Sequence, residues 1–452
     1  MNTLRRYQRA PFLRILDTVL NGHGDTLALM FSRQSGKNET SAQAEFRLMM
    51  MHGARGGIGV KAAPTLTPQA VTSRDRLIDT MKSAGLRPPD YRRDGNTILL
   101  GLTSWQFKSA APDANVVGAT ASMLLECDES QDVSPDKWDK DFLPMAADRN
   151  ASKVHYGTAW TDTSLLARTI AECEDAEGRD GRRRVFTVPW WIVAEENPAY
   201  AVFVQNERAR LGENHPIFQT QYELKTLAGA GRLLSPAQLA NIRGEYERHT
   251  SPGAGRLYVA AVDVAGEDTP DVILRGRDST VLTIGQVTHR PPPLLPLCEA
   301  VNAYEWKGTK HDRLYPEIMM ILDAHRVQRV AVDSTAAGEA LAIIARRALG
   351  EERVIGYRFT ERSKSELGYG LQQAATTGGL KLWANDQSPE YAAIDSQLRA
   401  CRAEYKPNQT VSWSVPVSEG HDDYVASLAL LVHAAKECPP PALARSRPGR
   451  RP

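Results

Sequence analysis

Two sets of residues in this chain have the types and spacing for phosphate chemistry. The first begins with FSRQSGKNE, residues 31–39. A strand-like run, LALMF, precedes it and a helix-like stretch, AQAEFRLMMM, follows, which is the context in which a loop can cradle phosphates. Gly36 lets the backbone approach an anion, the N–H groups at the helix start point at it, and Lys37 adds a positive point charge. The match to GxxxxGK[ST] is imperfect. Met30 or Phe31 stands at the early glycine, and Asn38 stands where a hydroxyl is usual, although an Asn side-chain oxygen can still ligate weakly. An ordinary Gly-Lys turn would read the same way, so partners are needed. SMLLECDESQDV (122–133) supplies an apolar strand ending in Asp128 and Glu129, one acid to hold magnesium and one to polarise a water. KVHYGTAWTDT (153–163) ends a further strand at Gly157 and Thr158, whose hydroxyl could sense a γ-phosphate.

The second set is acidic. Asp263 lies in YVAAVDVAGED, Asp333 ends RVAVDST, and Asp422 and Asp423 open HDDYVASLALLVHAA. Each acid interrupts or ends an apolar element. Ionised carboxylates near a core are costly unless paired or bound to a metal, so these positions in one domain suggest a shared cation site able to support phosphodiester cleavage. Taken singly, each is equally a turn or cap residue. Asp268, five residues past Asp263, reads either as a supporting ligand or as turn chemistry, and His421 reads first as a hydrogen-bonded structural residue. Arg362 and Lys364, before a helix in ERSKSELGYGLQQAATTGGLKL (361–382), could grip a phosphate backbone or simply be solvated.

Positioning these groups takes two different sheets. From about 25 to 190 short apolar runs (LALMFS, IGVKAA, TILLGLT, SMLLEC, KVHYGTA, RVFTVPW) alternate with helix-like stretches such as TSRDRLIDTMKSAGL (72–86), the pattern of a parallel α/β sheet. Residues 206–255 are charged and helical, with no strand run until Leu257. RLYVAAVDVAG and VLTIGQVTH then open a hairpin-like second half that continues in βαβ units, which predicts a mixed sheet with helices on its faces. The expected division is a P-loop NTPase domain over 1–205, a helical connector over 206–255, a mixed-sheet domain over 256–438 and a disordered basic tail over 439–452.

Composition agrees and excludes little. At 452 residues the chain exceeds one ordinary core. It is 42% hydrophobic with no apolar run of membrane-spanning length, and five scattered cysteines without a CxxC pair suggest neither zinc nor a disulfide framework. Nothing in the N-terminal residues resembles a secretory signal, so a cytoplasmic, reducing location is expected. A net charge of +1 argues against a surface coated in nucleic acid but permits a local basic channel.

In the order of these motifs, from about residue 5 to 435, the chain resembles the large terminase subunits of tailed bacteriophages. SRQSGKNE is similar to that family's phosphate-binding loop, comprising Arg33, Gln34, Ser35, Gly36, Lys37 and Asn38. LLECDESQ is similar to its Asp-Glu strand, GTAWT to its coupling motif, and Gln8 is placed like its adenine-reading glutamine. DVAGED, VDSTAAG and HDDYVASLAL resemble its three nuclease motifs, carrying over to Asp263, Asp333 and the Asp422/Asp423 pair. The resemblance implies an ATPase followed by a ribonuclease H-like nuclease, using ATP and Mg2+, with Mn2+ able to substitute at the nuclease site. It also implies double-stranded DNA, a procapsid portal protein and a small terminase subunit as partners, and a homo-oligomeric ring attached transiently to the procapsid in the host cytoplasm. Two alternatives fit parts of the pattern: a helicase-like translocase fused to a resolvase-type nuclease, and a capsid-associated protein whose ATPase is inactive, for which Asn38 argues.

Overall fold

Apolar runs of four to seven residues, too short for helices, form most of the first sheet. The computed structural model describes residues 3–116, 118–265, 279–335, 338–406 and 408–440. Its first eight strands are β1 (Thr26–Phe31), β2 (Gly57–Ala63), β3 (Arg92–Asp94), β4 (Thr97–Leu100), β5 (Thr103–Ser109), β6 (Leu124–Cys127), β7 (Ser152–Gly157) and β8 (Val185–Val188). They lie in the order β3-β4-β5-β2-β6-β7-β1-β8. From β5 to β8 every pairing is parallel. The other edge is not: β3, β4 and β5 form an antiparallel meander, which the expectation of a parallel sheet omitted. Central strands β1 and β6 are buried almost throughout, as strands covered on both faces must be. The stretch read as a crossover helix over 72–86 forms Val71–Ser83.

The short strand β9 (Ala230–Arg232) follows, then β10 (Leu257–Asp263), β11 (Ser279–Thr288), β12 (Leu297–Lys307), β13 (Arg329–Asp333), β14 (Val354–Tyr357) and β15 (Leu380–Leu382). The second sheet has the order β14-β13-β10-β11-β12-β15. Its middle, β10-β11-β12, is antiparallel, whereas β13, β14 and β15 join in parallel, so the sheet is mixed. The helix Asp423–Lys436 is apolar nearly all round and packs over β10, β11 and β13. Ser427 fastens it there, its hydroxyl 2.9 Å from Thr283 Oγ1 and donating to the Ala261 carbonyl at 3.3 Å. β16 (Arg402–Tyr405) and β17 (Val411–Ser414) complete a small three-stranded sheet with β9.

The backbone divides into two compact units. One comprises Met1–Arg208, Pro216–Gly229 and Tyr405–Gln409; the other comprises Ala209–His215, Ala230–Glu404 and Thr410–Pro452. Residues 206–255, read as a helical connector, are shared between the units and include β9. Of the tail expected over 439–452, residues 441–452 lie outside the described residues. No helix among the described residues is long and apolar enough to cross a membrane, and all five cysteines are buried and free.

Candidate functional site

In the first unit β6, β7 and β1 are neighbours, so the segments leaving their C-terminal ends meet at one sheet edge. Ligands of α/β sheets bind at that edge. The segments are 32–36 after β1, Asp128 and Glu129 after β6, and Thr158 after β7. All but Asp128, which is buried beneath the wall, line a cavity of about 610 Å³ that includes Arg33, Gln34, Ser35, Gly36, Lys37, Asn38, Glu129 and Thr158.

The loop takes its shape from two left-handed residues, Gln34 at φ 59° and Gly36 at φ 86°. Gly36 is required twice over, because a Cβ there would also stand 2.5 Å from the Gln8 amide nitrogen. Side chains hold the loop from outside: Tyr7 donates to the Ser35 carbonyl at 2.8 Å and Tyr200 to the Arg33 carbonyl at 2.7 Å. Gln8, expected to read adenine, does not line the cavity. Its Nε2 donates to the Gly36 carbonyl and its Oε1 accepts from the Arg5 N–H, so both ends of the amide are engaged.

Lys37 opens the helix Lys37–His52 and reaches the acids, with Nζ 2.6 Å from Glu129 Oε1 and 3.6 Å from Asp128 Oδ1. Burial disfavours its charge, but the Glu129 and Asp128 carboxylates outweigh burial and hold its pKa above the ordinary lysine value. Burial likewise opposes ionisation of Asp128, yet Lys37, Lys61 and the Ser73 hydroxyl at 3.0 Å keep its carboxyl below the usual range. Asp128 is therefore an ionised, oriented oxygen donor suited to a hard cation. The Thr158 hydroxyl is buried and has no hydrogen-bond partner among the described residues, although it borders the cavity. Buried polar groups are usually partnered, so a hydroxyl left open at a cavity wall is one that a bound ligand or water can complete.

Sequence reasoning missed Gln131, Asp132 and Gln409, which also line the cavity. Gln409 donates to both carboxylate oxygens of Asp132 at 3.0 Å, across a sequence separation of 277 residues that no local pattern reveals. Burial, aided by the Glu129 charge, pushes the Asp132 carboxyl up to about 7.

In the second unit the parallel pairing of Val262 with Val332 places Asp263 and Asp333 one step further along adjacent strands, at their C-terminal ends. The buried helix Asp423–Lys436 brings its first residues to the same place, where Asp423 Oδ2 accepts the Ser279 N–H at 2.9 Å. Burial raises the Asp263 carboxyl well above the aspartate range, and the charges of Asp423, Asp333 and Asp422 raise it further. The charges of three acids thus converge on Asp263. The acids are not gathered into a finished ligand set: no three His, Cys, Asp or Glu side chains among the described residues have metal-holding geometry. Local bonds account for this. Asp333 Oδ1 accepts the Thr335 N–H at 2.9 Å, Asp422 Oδ2 accepts from Lys364 at 3.0 Å, and Asp423 is held by Ser279. The all-carboxylate donors still fit a hard divalent cation, whose charge would relieve the repulsion focused on Asp263. Lys364 also lies 4.5 Å above the Trp413 ring, while Arg362 turns to Glu366 at the surface. Asp268 lies outside the described residues.

Comparison with known proteins agrees with this architecture. Residues 297–435 match the family model of the terminase RNaseH-like domain. The large terminase of a thermophilic bacteriophage superposes with a TM-score of 0.55 at 12% identity, covering 96% of this chain and 99% of that one. The same protein in complex with ADP gives 0.54 at 11% identity, with 95% and 99% covered, and in complex with ATP-gamma-S 0.51 at 12% identity, with 96% and 99% covered. No curated protein matches the chain. Residues 297–435 are thus similar to the terminase RNaseH-like domain, and the whole chain shares the fold of that large terminase.

Proposed function

We propose that this chain is the large subunit of a phage DNA-packaging terminase, which hydrolyses ATP to drive double-stranded DNA into a procapsid and cuts concatemeric DNA. The observation that carries the reading is the meeting of Lys37, Asp128, Glu129 and an unpartnered Thr158 hydroxyl at one sheet edge, in a chain that goes on to a terminase RNaseH-like domain. The complexes of the thermophilic phage's large terminase with ADP and ATP-gamma-S support an adenine nucleotide as the ligand of the first cavity.

In the first unit the loop 31–39 wraps the phosphates, Lys37 neutralises their charge and Asp128 is the residue to hold the magnesium of the nucleotide. Glu129 accepts the proton of the attacking water. In the second unit Asp263, Asp333 and one of Asp422 and Asp423 are the residues to hold divalent cations. Held there, Mg2+, or Mn2+ in its place, would supply an activated water and stabilise the leaving oxygen. Lys364 sits beside these acids, where its charge can meet a backbone phosphate. A portal protein, a small terminase subunit and a homo-oligomeric ring at the procapsid, working in the host cytoplasm, belong to this proposal.

The test is DNA-stimulated ATP hydrolysis by wild type and Lys37→Ala. The expected loss is at least ~100-fold in kcat, since Lys37 provides the electrostatic stabilisation of the transferred phosphate. Equal rates in the two proteins would refute the ATPase half of the reading.

A further inference from the structure

Gln131 lies two residues beyond Glu129 and is buried to 2% exposure. Its Nε2 donates to Glu129 Oε2 at 2.9 Å and to Asp132 Oδ2 at 3.2 Å, and its Oε1 accepts the Thr158 N–H at 3.2 Å. Only this orientation of the amide works, because carboxylates stand on one side and an N–H on the other. Gly157 makes the approach possible: a Cβ there would stand 2.1 Å from Gln131 Oε1. The other oxygen of Glu129 is held by Lys37.

From this we propose that Gln131 is a positioning residue for ATP hydrolysis, which fixes the Glu129 carboxylate for proton abstraction and ties it to the Gly157–Thr158 turn. This rests on the ATPase reading above. The side-chain amide is planar, so turning it to follow Glu129 breaks the bond to the Thr158 N–H. A displacement of Glu129 on loss of the γ-phosphate is thereby passed to the turn that carries the unpartnered Thr158 hydroxyl. The nucleotide's state and the end of β7 are coupled through one side chain.

The coupling can be broken from either side. Gln131→Leu keeps the side-chain bulk without the amide, and Gly157→Ala drives a methyl into Oε1. Both should lower kcat for ATP about tenfold or more while KM for ATP stays within about twofold, the signature of an interaction used in the transition state. The double variant should be no slower than the worse single one, since both remove the same link. A melting transition within a few degrees of wild type in each variant, together with the retained KM for ATP, reports that the first unit is folded. Wild-type kcat in either variant, or a rise in KM at constant kcat, overturns the proposal. If Lys37→Ala is inactive while Gln131→Leu turns over normally, the coupling alone fails; if Lys37→Ala is fully active, the ATPase reading fails with it.

Discussion

At the scale of single residues, the loop 31–39 works because two of its positions accept left-handed backbone. Gly36 does so at φ 86°, with Gln8 packed where a side chain would go. Placing an L residue there costs on the order of 1–2 kcal/mol before any clash, so Gly36→Ala should weaken nucleotide binding roughly tenfold, measured by calorimetric titration with ADP. Unchanged affinity would mean that the loop does not contact phosphate. Much of this site is legible in the sequence, since Gly36, Lys37, Asp128, Glu129 and Thr158 all follow strand-like runs and strand ends converge by topology. Gln131 and Gln409 were not legible. The first sits past the acids in a segment with no periodicity, and the second reaches Asp132 from 277 residues away. The four acids of the second unit were legible because each breaks or ends an apolar run, but the hydrogen bonds of Asp333, Asp422 and Asp423 to Thr335, Lys364 and Ser279 were not.

At the scale of elements, a buried polar cluster joins the helix Lys37–His52 to strands β2, β5, β6 and β7. Lys61 pairs with Glu45 at 2.8 Å, while Glu126 accepts from Ser41 at 3.1 Å, Tyr156 at 2.7 Å and Trp105 at 3.2 Å. Burial, with Glu45 nearby, pushes the Glu126 carboxyl up to about 8, so Glu126 is largely neutral at neutral pH. Lys61→Met removes the cation that pairs with Glu45 and should destabilise the first unit by about 3–5 kcal/mol, the usual result of stranding a buried charge. Glu126→Gln, which mimics the neutral acid, should cost about 1 kcal/mol or less. Urea unfolding of both variants checks the contrast, and equal effects would show that Glu126 is ionised. Strand recognition failed where polar residues interrupt: β5, TSWQFKS, and β12, LCEAVNAYEWK, carry charged and amide side chains that disguise them. Strands β1 and β10 are legible because they are buried on both faces and need an uninterrupted apolar run, while β4 and β8 alternate in burial but carry short apolar runs.

For the whole molecule, two histidines buried as neutral rings are among the groups that tie stability to pH. Burial lowers His155, beside the Ser130 hydroxyl, to about 3, and lowers His215, beside the Tyr369 carbonyl, to about 4. The unfolded chain takes up these protons near 6.5, the folded one only at the depressed values. These rings alone cost stability as pH falls below about 6.5, by up to roughly 1.4 kcal/mol per pH unit each until the folded value is reached, whereas the raised Asp132 and Glu126 carboxyls in the first unit and Asp263 in the second, protonated when folded, gain stability over the same range. The His155 contribution is read as a difference: between neutral pH and about pH 5 the melting temperature of His155→Gln should rise relative to wild type, and parallel profiles of the two proteins would contradict this. The central claim is that one chain carries two separable engines in succession, one for moving DNA and one for cutting it. It is tested most directly by the amount of linear DNA protected from nuclease when procapsids, ATP and the protein are mixed. Asp333→Ala should protect as much linear DNA as wild type, because no cut is needed, whereas Lys37→Ala should protect none. Full protection by Lys37→Ala would contradict the account.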